Sequence, residues 1–449
     1  MPVRITPMPS LPLAARIARF GELLTMVVPI PEEWKVQVAA SGITEGGMGC
    51  LPCACYHDLV TAWRKALRWT DGLDHALAVM LASISSTKAV GDQLWIKVIG
   101  PAACGKSTLC EALSVSSLWV VAKSTIRGFH SGFRADGDGS GRDWSLIPTI
   151  KDKTLVTKDG DTLLQSPNLP QILSEARDLY DSTARTHYRN ATSRDYAGIR
   201  MTWILCGTSA LRVLDTSELG ERFLDCVIME HIDDELEDEI LWRVANRADR
   251  NMAIEADGKP ETHYEPELAE AMRLTGGYVN WLREHAAERL TNVTAEDGVK
   301  RQCMRLGKFV ALMRARPSRR QEESAEREFA ARLVSQLIRL GKCLALVLNR
   351  SALDATVMQR VRRVAMDTAR GQTLAIIAHL YHTAEGLQSQ ALGALLGRSE
   401  EKVKALLRFL RGIGAVDYVK LEAPGRALRS IWRLSSRMRQ LYDEVFGNA

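Results

Sequence analysis

The chain has 449 residues, of which 46% are hydrophobic and 25% are charged, the composition of an ordinary globular protein with room for two or three domains. No apolar stretch approaches the roughly 18 residues of a membrane span, and Arg16 and Arg19 interrupt the first apolar segment, which argues against a signal peptide. Nine cysteines, an odd number spread over a long chain, predict a reducing compartment, the cytoplasm.

The formal net charge of +5 is unevenly distributed. From Arg301 onward the chain carries 27 Lys and Arg against 13 Asp and Glu, whereas the first 300 residues carry 32 against 41. We therefore expect the C-terminal part to contact a polyanion, the alternative being solvated basic helix faces that bind nothing.

A helical pattern fills the N-terminal region, with apolar residues at helical spacing over 58–67 and 73–84. Cys50, Cys53, Cys55 and His57 precede it at a spacing tight enough for a metal ion, but no second ligand pair follows. A metal site and a loop of free thiols both remain open interpretations.

The segment GPAACGKST at 100–108 is a complete G-x-x-x-x-G-K-[ST] phosphate loop, preceded by an apolar strand and followed by a helical pattern. We expect Lys106 to reach the β- and γ-phosphates of ATP and Ser107 to ligate Mg²⁺, with backbone N–H groups around the phosphate oxygens. The loop comprises Gly100, Pro101, Ala102, Ala103, Cys104, Gly105, Lys106, Ser107 and Thr108.

Short apolar runs predict strands at 94–99, 118–122, 153–157 and 201–206, with helical segments such as 168–181 between them. Strands that alternate with helices indicate an α/β fold with a mainly parallel sheet. Two segments, 127–143 and 185–194, interleave basic residues with Phe129 and Phe133 or with Tyr188; these rings are either ligand contacts or buried anchors.

The third predicted strand ends in Lys158-Asp159-Gly-Asp161. At this position of a phosphate-loop sheet an acid holds Mg²⁺, so Asp159 is the candidate metal carboxylate and Asp161 a candidate base that positions water. A solvated turn is the alternative.

Three further residues are candidates because of their place after the later strands. Ser209 follows the fourth predicted strand and puts a hydroxyl near the γ-phosphate, unless it only caps a helix. Arg222, expected on a short helix or turn, could reach a neighbouring subunit's site. Arg283 is expected early in a helix after a Gly276-Gly277 break, on a lid over the nucleotide.

Beyond residue 232 the pattern is helical almost throughout, and it closes with a helix-turn-helix and a wing. The predicted elements are helices over Leu387–Leu396 and Glu400–Ile413, and strands over Val416–Leu421 and Ser430–Leu434. This order of motifs resembles the AAA+ ATPases, within them the MCM-like family of phage and mobile-element DNA replication ATPases. The resemblance covers about 75–370 and rests on GDQLWIKVIGPAACGKST, TLVTKDGD, WILCGTS, LGERFL and the run from ARLVSQLIRLGKCLALVLNR to VRRVAMDTA.

The resemblance implies an AAA+ core with a helical lid and a C-terminal winged helix-turn-helix domain. It divides the chain into an N-terminal helical region (1–75), an ATPase core (76–232), a lid (233–370) and a winged-helix domain (371–449). It makes the loop residues Walker A, Asp159 Walker B, Ser209 sensor 1, Arg222 the arginine finger and Arg283 sensor 2. Ala-Ala-Cys at 102–104 and Lys-Asp in place of Asp-Glu at 158–159 depart from the family pattern.

Two functions follow as expectations. The first is a ring of about six subunits that moves along single- or double-stranded DNA, a helicase or translocase whose basic loops grip the phosphate backbone. The second is a DNA-binding ATPase switch, such as an initiator, a helicase loader or a transposition regulator, that does not unwind DNA. A protein-remodelling ATPase needs the same core, but the basic C-terminal half argues mildly against it.

Overall fold

The computed structural model describes residues 49–133, 143–188, 193–215, 222–229, 234–250, 265–315, 329–369, 371–421 and 429–447. These residues form an α/β protein with many helices around one five-stranded parallel sheet. The strands are β1 (Trp95–Ile99), β2 (Val120–Lys123), β3 (Thr154–Thr157), β4 (Thr183–His187), β5 (Ser193–Ala197), β6 (Thr202–Gly207), β7 (Phe223–Val227), β8 (Val416–Leu421) and β9 (Arg429–Leu434).

Helices are interspersed with the strands up to β7, and beyond β7 the described elements are helices except for β8 and β9. In the first part they are α1 (Tyr56–Ala66), α2 (Asp71–Ser86), α3 (Lys106–Ser114), α4 (Ile147–Ile150), α5 (Gly160–Leu164) and α6 (Leu169–Tyr180). After β7 they are α7 (Asp234–Arg250), α8 (Pro266–Asn292), α9 (Asp297–Arg314), α10 (Ala331–Val347), α11 (Ala355–Ala369), α12 (Gln372–His382), α13 (Ser389–Leu396), α14 (Glu400–Gly412) and α15 (Ser436–Phe446).

The parallel sheet has the order β2-β3-β6-β1-β7, so the strand that leads into the phosphate loop has a neighbour on each side. Ile96 of β1 lies opposite Ile204 of β6 and Leu224 of β7. The four strands predicted from apolar runs are confirmed as β1, β2, β3 and β6. The sequence placed Arg222 on a short helix or turn and predicted no fifth strand. In the structure a fifth strand, β7, begins at the residue after Arg222.

Helix α2 lies at the centre of the molecule, between the sheet and helices α8 and α10. All of its residues except Asp71 and Asp74 are buried. The boundary predicted between residues 75 and 76 therefore falls inside a helix that contributes to the main hydrophobic core.

Helix α8 runs without interruption through Gly276 and Gly277, so the predicted break at these glycines is wrong. A Cβ on Gly277 would lie 1.7 Å from the carbonyl oxygen of Leu51, and one on Gly276 would lie 2.9 Å from Sγ of Cys50. The two glycines therefore allow segment 50–53 to approach the helix closely, and they do not end a helix.

Side chains of α9 to α11 cover the outer edge of β7, the last strand of the sheet. Asp225 N donates a hydrogen bond to Thr368 Oγ1 at 2.9 Å, and Val227 N donates one to Asp367 Oδ2 at 2.7 Å. These bonds satisfy backbone groups that an edge strand otherwise leaves open, and they fix helix α11 to the sheet.

Two further units complete the described fold. Strands β4 and β5 form an antiparallel hairpin in the segment that the sequence presents as a basic loop at 185–194. After residue 371, α13 and α14 are joined by a three-residue turn and followed by the antiparallel pair β8–β9, as predicted to within two residues at the ends. Residues 134–142 of the glycine-rich segment lie outside the described residues.

Candidate nucleotide-binding site

The phosphate loop occupies the turn between β1 and α3, and two of its residues have left-handed backbone conformations. Gly105, the residue before α3, has φ 91°, and Ala103 has φ 60°. A Cβ on Gly105 would also lie 3.0 Å from a methyl carbon of Leu73. Glycine at 105 is therefore needed both for its conformation and for the contact with α2.

The ammonium group of Lys106 turns back onto the loop itself. Its Nζ donates hydrogen bonds to the carbonyl oxygens of Gly100, at 2.7 Å, and of Pro101, and lies 3.6 Å from Sγ of Cys104. Ser107, the next residue, is exposed in the first turn of α3. A cation, a hydroxyl and the amino end of a helix thus share one small surface, an arrangement suited to binding phosphate.

The walls of the loop come from residues that the sequence motif does not contain. Gly100 N donates to Gly207 O at 3.2 Å, and Ile228 N donates to Ile99 O at 2.9 Å. Leu73 of α2 and Ile228 after β7 thereby border the loop on its sides. Single apolar residues far away in the chain carry no pattern that could have identified them.

Asp159 lies at the carboxyl end of β3, where it caps helix α5. Its Oδ1 accepts a hydrogen bond from Thr162 N at 3.1 Å, and its Oδ2 accepts one from the Thr162 hydroxyl. The hydroxyl bond, reinforced by the backbone bonds, lowers the pKa of Asp159 below its usual value, which favours the carboxylate.

Asp161, shortly after β3, is hydrogen-bonded to the residue that follows β6. It accepts hydrogen bonds from Thr208 N at 2.9 Å and from Thr208 Oγ1 at 3.2 Å. Thr208 directly follows β6, which pairs with β1. The predicted candidate Ser209 is exposed at the start of a 3₁₀ turn, Ser209–Asp215, and its neighbour Thr208, which the sequence did not single out, is the hydroxyl bonded to Asp161.

Lys158, the residue before Asp159, forms an ion pair. Its Nζ lies 3.3 Å from Oε1 of Glu111 on α3. Glu111 is one helical turn after Ser107, so this pair joins the end of β3 to the helix of the phosphate loop.

Arg222 is placed at the amino end of the sheet, away from the phosphate loop of its own chain, because it precedes β7 and β7 is parallel to β1. Its Nη2 lies 3.0 Å from Oδ2 of Asp181, and its guanidinium lies 5.3 Å from the ring centre of Tyr180. The side chain is buried, and burial lowers the pKa of Arg222.

Arg283 also lies at the amino end of the sheet. Its Nη2 donates to the carbonyl oxygen of Asp152, just before β3, and its guanidinium stacks 4.6 Å from the ring centre of Trp119. Burial lowers the pKa of Arg283 to about 10. The structure thus brings the loop, Asp159, Asp161 and Ser209 to the carboxyl end of the sheet, and does not bring Arg222 or Arg283 there.

The N-terminal cysteine cluster is spread over different environments. Cys50 is exposed, whereas Cys53 is buried with its Sγ 3.6 Å from the carbonyl oxygen of Cys55. Within the described ranges, no group of three or more His, Cys, Asp or Glu side chains is arranged to hold a metal ion.

No model of a known protein family matches the chain, and no curated protein matches it. Among the helices that the structure describes, none combines the length and the apolar character needed to cross a bilayer.

Proposed function

We propose that the chain is an ATP-hydrolysing, DNA-binding motor of the AAA+ class, a ring-forming helicase or translocase in the replication of a phage or mobile element. The observation that carries the proposal is the phosphate loop with Lys106 and Ser107 on a parallel sheet whose neighbouring strands end in Asp159 and Thr208. A loop motif alone is weak, but acids and hydroxyls at the same end of the sheet are what phosphoryl transfer requires.

The residues at this end fit ATP and Mg²⁺. Lys106 has an ammonium group with three donors for phosphate oxygens, and Ser107 has an exposed hydroxyl beside them. Mg²⁺ prefers a small number of protein oxygens, here Ser107 and the ionised Asp159, and would neutralise charge that develops on the phosphates. Asp161 and Thr208 hold each other and so define a fixed polar group where an attacking water could be oriented.

The DNA-binding part of the proposal is supported by the β4–β5 hairpin and by the basic C-terminal region. The hairpin strands are largely exposed, and Arg185 on β4 is 75% exposed while paired with Asp195. Phe129 is fully buried and is an anchor, whereas Phe133 is exposed against Trp144 and remains available for contact. An exposed ribbon that carries cations is suited to follow a phosphate backbone.

One observation favours the second candidate, a DNA-binding ATPase switch. Lys158 occupies one of the two places where the family that the sequence resembles has an acid, and it pairs with Glu111. Asp159 caps α5, and the next carboxylate, Asp161, accepts hydrogen bonds from Thr208. From this arrangement we expect slow ATP hydrolysis, with ATP controlling the assembly of the protein on DNA instead of driving its movement along DNA.

Two assays on the same preparation distinguish these functions. A motor is expected to show ATP hydrolysis stimulated by DNA and displacement of one strand from a forked duplex. A switch is expected to show slow hydrolysis and ATP-dependent DNA binding without displacement. The absence of any ATP binding would contradict both.

A further inference from the structure

A polar groove of about 470 Å³ lies between α14, the β8–β9 hairpin and the amino end of α13; we refer to it as the wing groove. Three cations of α14, namely Lys404, Arg408 and Arg411, line it together with Tyr418 of β8. Their spacing of three and four residues places them on one face of the helix. Lys402, on the same helix, is exposed but does not line the groove.

The charges in the wing groove do not cancel. Glu400 is matched by Lys404, whose Nζ lies 2.9 Å from Oε1, and accepts a hydrogen bond from Ser389 Oγ at 2.7 Å. Neither Arg408 nor Arg411 has an acidic partner in the part of the chain that the structure describes. Among the described residues, the groove therefore presents two guanidinium groups with no carboxylate paired to them, which favours an anionic ligand.

The aromatic residues of the wing groove are already engaged within the fold. The Tyr418 hydroxyl donates to Ser430 Oγ at 2.7 Å, and the Tyr418 ring lies 4.8 Å from that of Trp432 and 5.8 Å from the guanidinium of Arg411. Trp432 is buried. Both described rings that line the groove are thus packed within the fold, and we expect its cations, rather than base stacking, to determine what binds.

We propose that the wing groove binds a backbone phosphodiester of DNA through Arg408 and Arg411. The inference rests on the DNA-binding part of the proposed function and specifies where on the C-terminal unit the backbone is held. An acidic protein segment is the competing ligand. The described residues that line the groove include no exposed apolar side chain to anchor a peptide, and guanidinium groups match phosphate oxygens bidentately.

The test measures binding of the full chain to a fluorescent duplex of about 20 base pairs, without nucleotide, over about 50 to 250 mM salt. Arg408→Ala and Arg411→Ala are each expected to lower the slope of log affinity against log salt by about 0.9. Lys402→Ala, the matched control on the same helix, is expected to leave the slope unchanged. Arg411→Lys should restore most of it, because the charge and not the packing on Tyr418 carries the contact.

Glu400→Gln provides a variant of opposite sign. It keeps a hydrogen-bond partner for Ser389 but removes the carboxylate, so it should tighten DNA binding. Thermal melts verify that each variant is folded.

Three results would overturn the inference. Unchanged slopes for Arg408→Ala and Arg411→Ala would place the DNA elsewhere on the chain. A loss for Lys402→Ala equal to that for Arg408→Ala would show a diffuse field instead of a groove. Binding of a fluorescent glutamate-rich peptide by the wild type but not by Arg408→Ala, together with no binding of DNA by the wild type, would assign the groove to an acidic protein segment. That result would contradict the DNA-binding part of the proposed function and would not bear on ATP hydrolysis.

Discussion

Lys97 and Lys106 lie nine residues apart on either side of the start of the phosphate loop, and their surroundings assign them opposite roles. Lys97, in the middle of β1, is 0% exposed, with its Nζ 3.1 Å from Oδ1 of Asp225 on β7. Lys106 is only partly buried and bonds to loop carbonyls. One lysine therefore belongs to the interior of the sheet, and the other is available to a ligand.

Lys106→Ala is expected to reduce ATP hydrolysis at least about a hundredfold, because it removes the cation that faces the developing phosphate charge. Its hydrogen bonds in the structure go only to the loop, so the thermal melting curve should change little. ATPase activity equal to wild type would contradict the assignment of the loop.

Lys97→Met is expected to lower the free energy of unfolding by about 3 to 5 kcal/mol, since it removes one partner of a buried ion pair. The double variant Lys97→Met, Asp225→Leu should recover most of that loss, because no buried carboxylate then lacks its cation. Urea denaturation of both variants measures this. Equal losses in the single and double variants would show that the pair is not coupled.

Asp159 can be separated into a structural and a chemical role. Asparagine caps helices as well as aspartate does, so Asp159→Asn should keep α5 intact and still remove Mg²⁺-dependent hydrolysis. Asp159→Ala should in addition cost about 1 kcal/mol of stability. If Asp159→Asn hydrolyses ATP normally while Asp161→Asn does not, Asp161 is the metal carboxylate.

At the scale of the elements, four strands of the parallel sheet could be predicted from short apolar runs, including β1 with Lys97 inside it, and the fifth strand, β7, could not. β6 reads TWILCG and is buried throughout, whereas β7 contains Asp225, whose partner Lys97 is more than a hundred residues away. A local pattern does not contain that pairing. The hairpin β4–β5 was missed for a related reason, because its alternation of exposed and buried residues is weak and its residues are mostly polar.

The candidate site divides in the same way. The phosphate loop and the two acids after β3 could be predicted, because they are contiguous in sequence and follow recognisable strands. Thr208, Leu73 and Ile228 could not, since their position depends on how strands and helices come together. Sequence spacing also did not reveal that Arg283 lies at the amino end of the sheet.

The glycines of α8 allow a prediction for a whole element. Gly277→Ala should destabilise the protein by about 1 to 3 kcal/mol or more, because its Cβ would overlap the Leu51 carbonyl at 1.7 Å and force α8 away from segment 50–53. Gly298→Ala in α9 is the control: nothing lies within 4 Å of its Cβ, so it should be neutral or stabilising by up to about 1 kcal/mol. Equal stabilities for the two variants would contradict the close approach.

At the scale of the whole molecule, the position of Arg222 determines whether the nucleotide site is built from one copy of the chain or from two. It lies at the amino end of the sheet, bonded to Asp181, whereas the phosphate loop lies at the carboxyl end. A role for Arg222 in hydrolysis therefore requires a second copy of the chain, and in that copy the guanidinium must exchange Asp181 for phosphate. The side chain of Asp181 is 55% exposed but that of Arg222 only 8%, so Arg222 must also leave its buried position to reach a partner's phosphate.

We expect Arg222→Ala and Lys106→Ala each to be inactive alone and to recover activity when mixed. At equal proportions, about one quarter of the interfaces would combine an intact loop with an intact arginine, so about one quarter of the wild-type ATPase rate should return. Because Arg222 is buried, Arg222→Ala must first show a melting curve like that of the wild type. If it does not, Arg222→Lys replaces it in the mixing experiment. Mixing two batches of Lys106→Ala is the control and should restore nothing. If mixed rings are demonstrated by mass and activity remains absent at every ratio, Arg222 does not act on a neighbour, and its contacts with Asp181 and Tyr180 are its role.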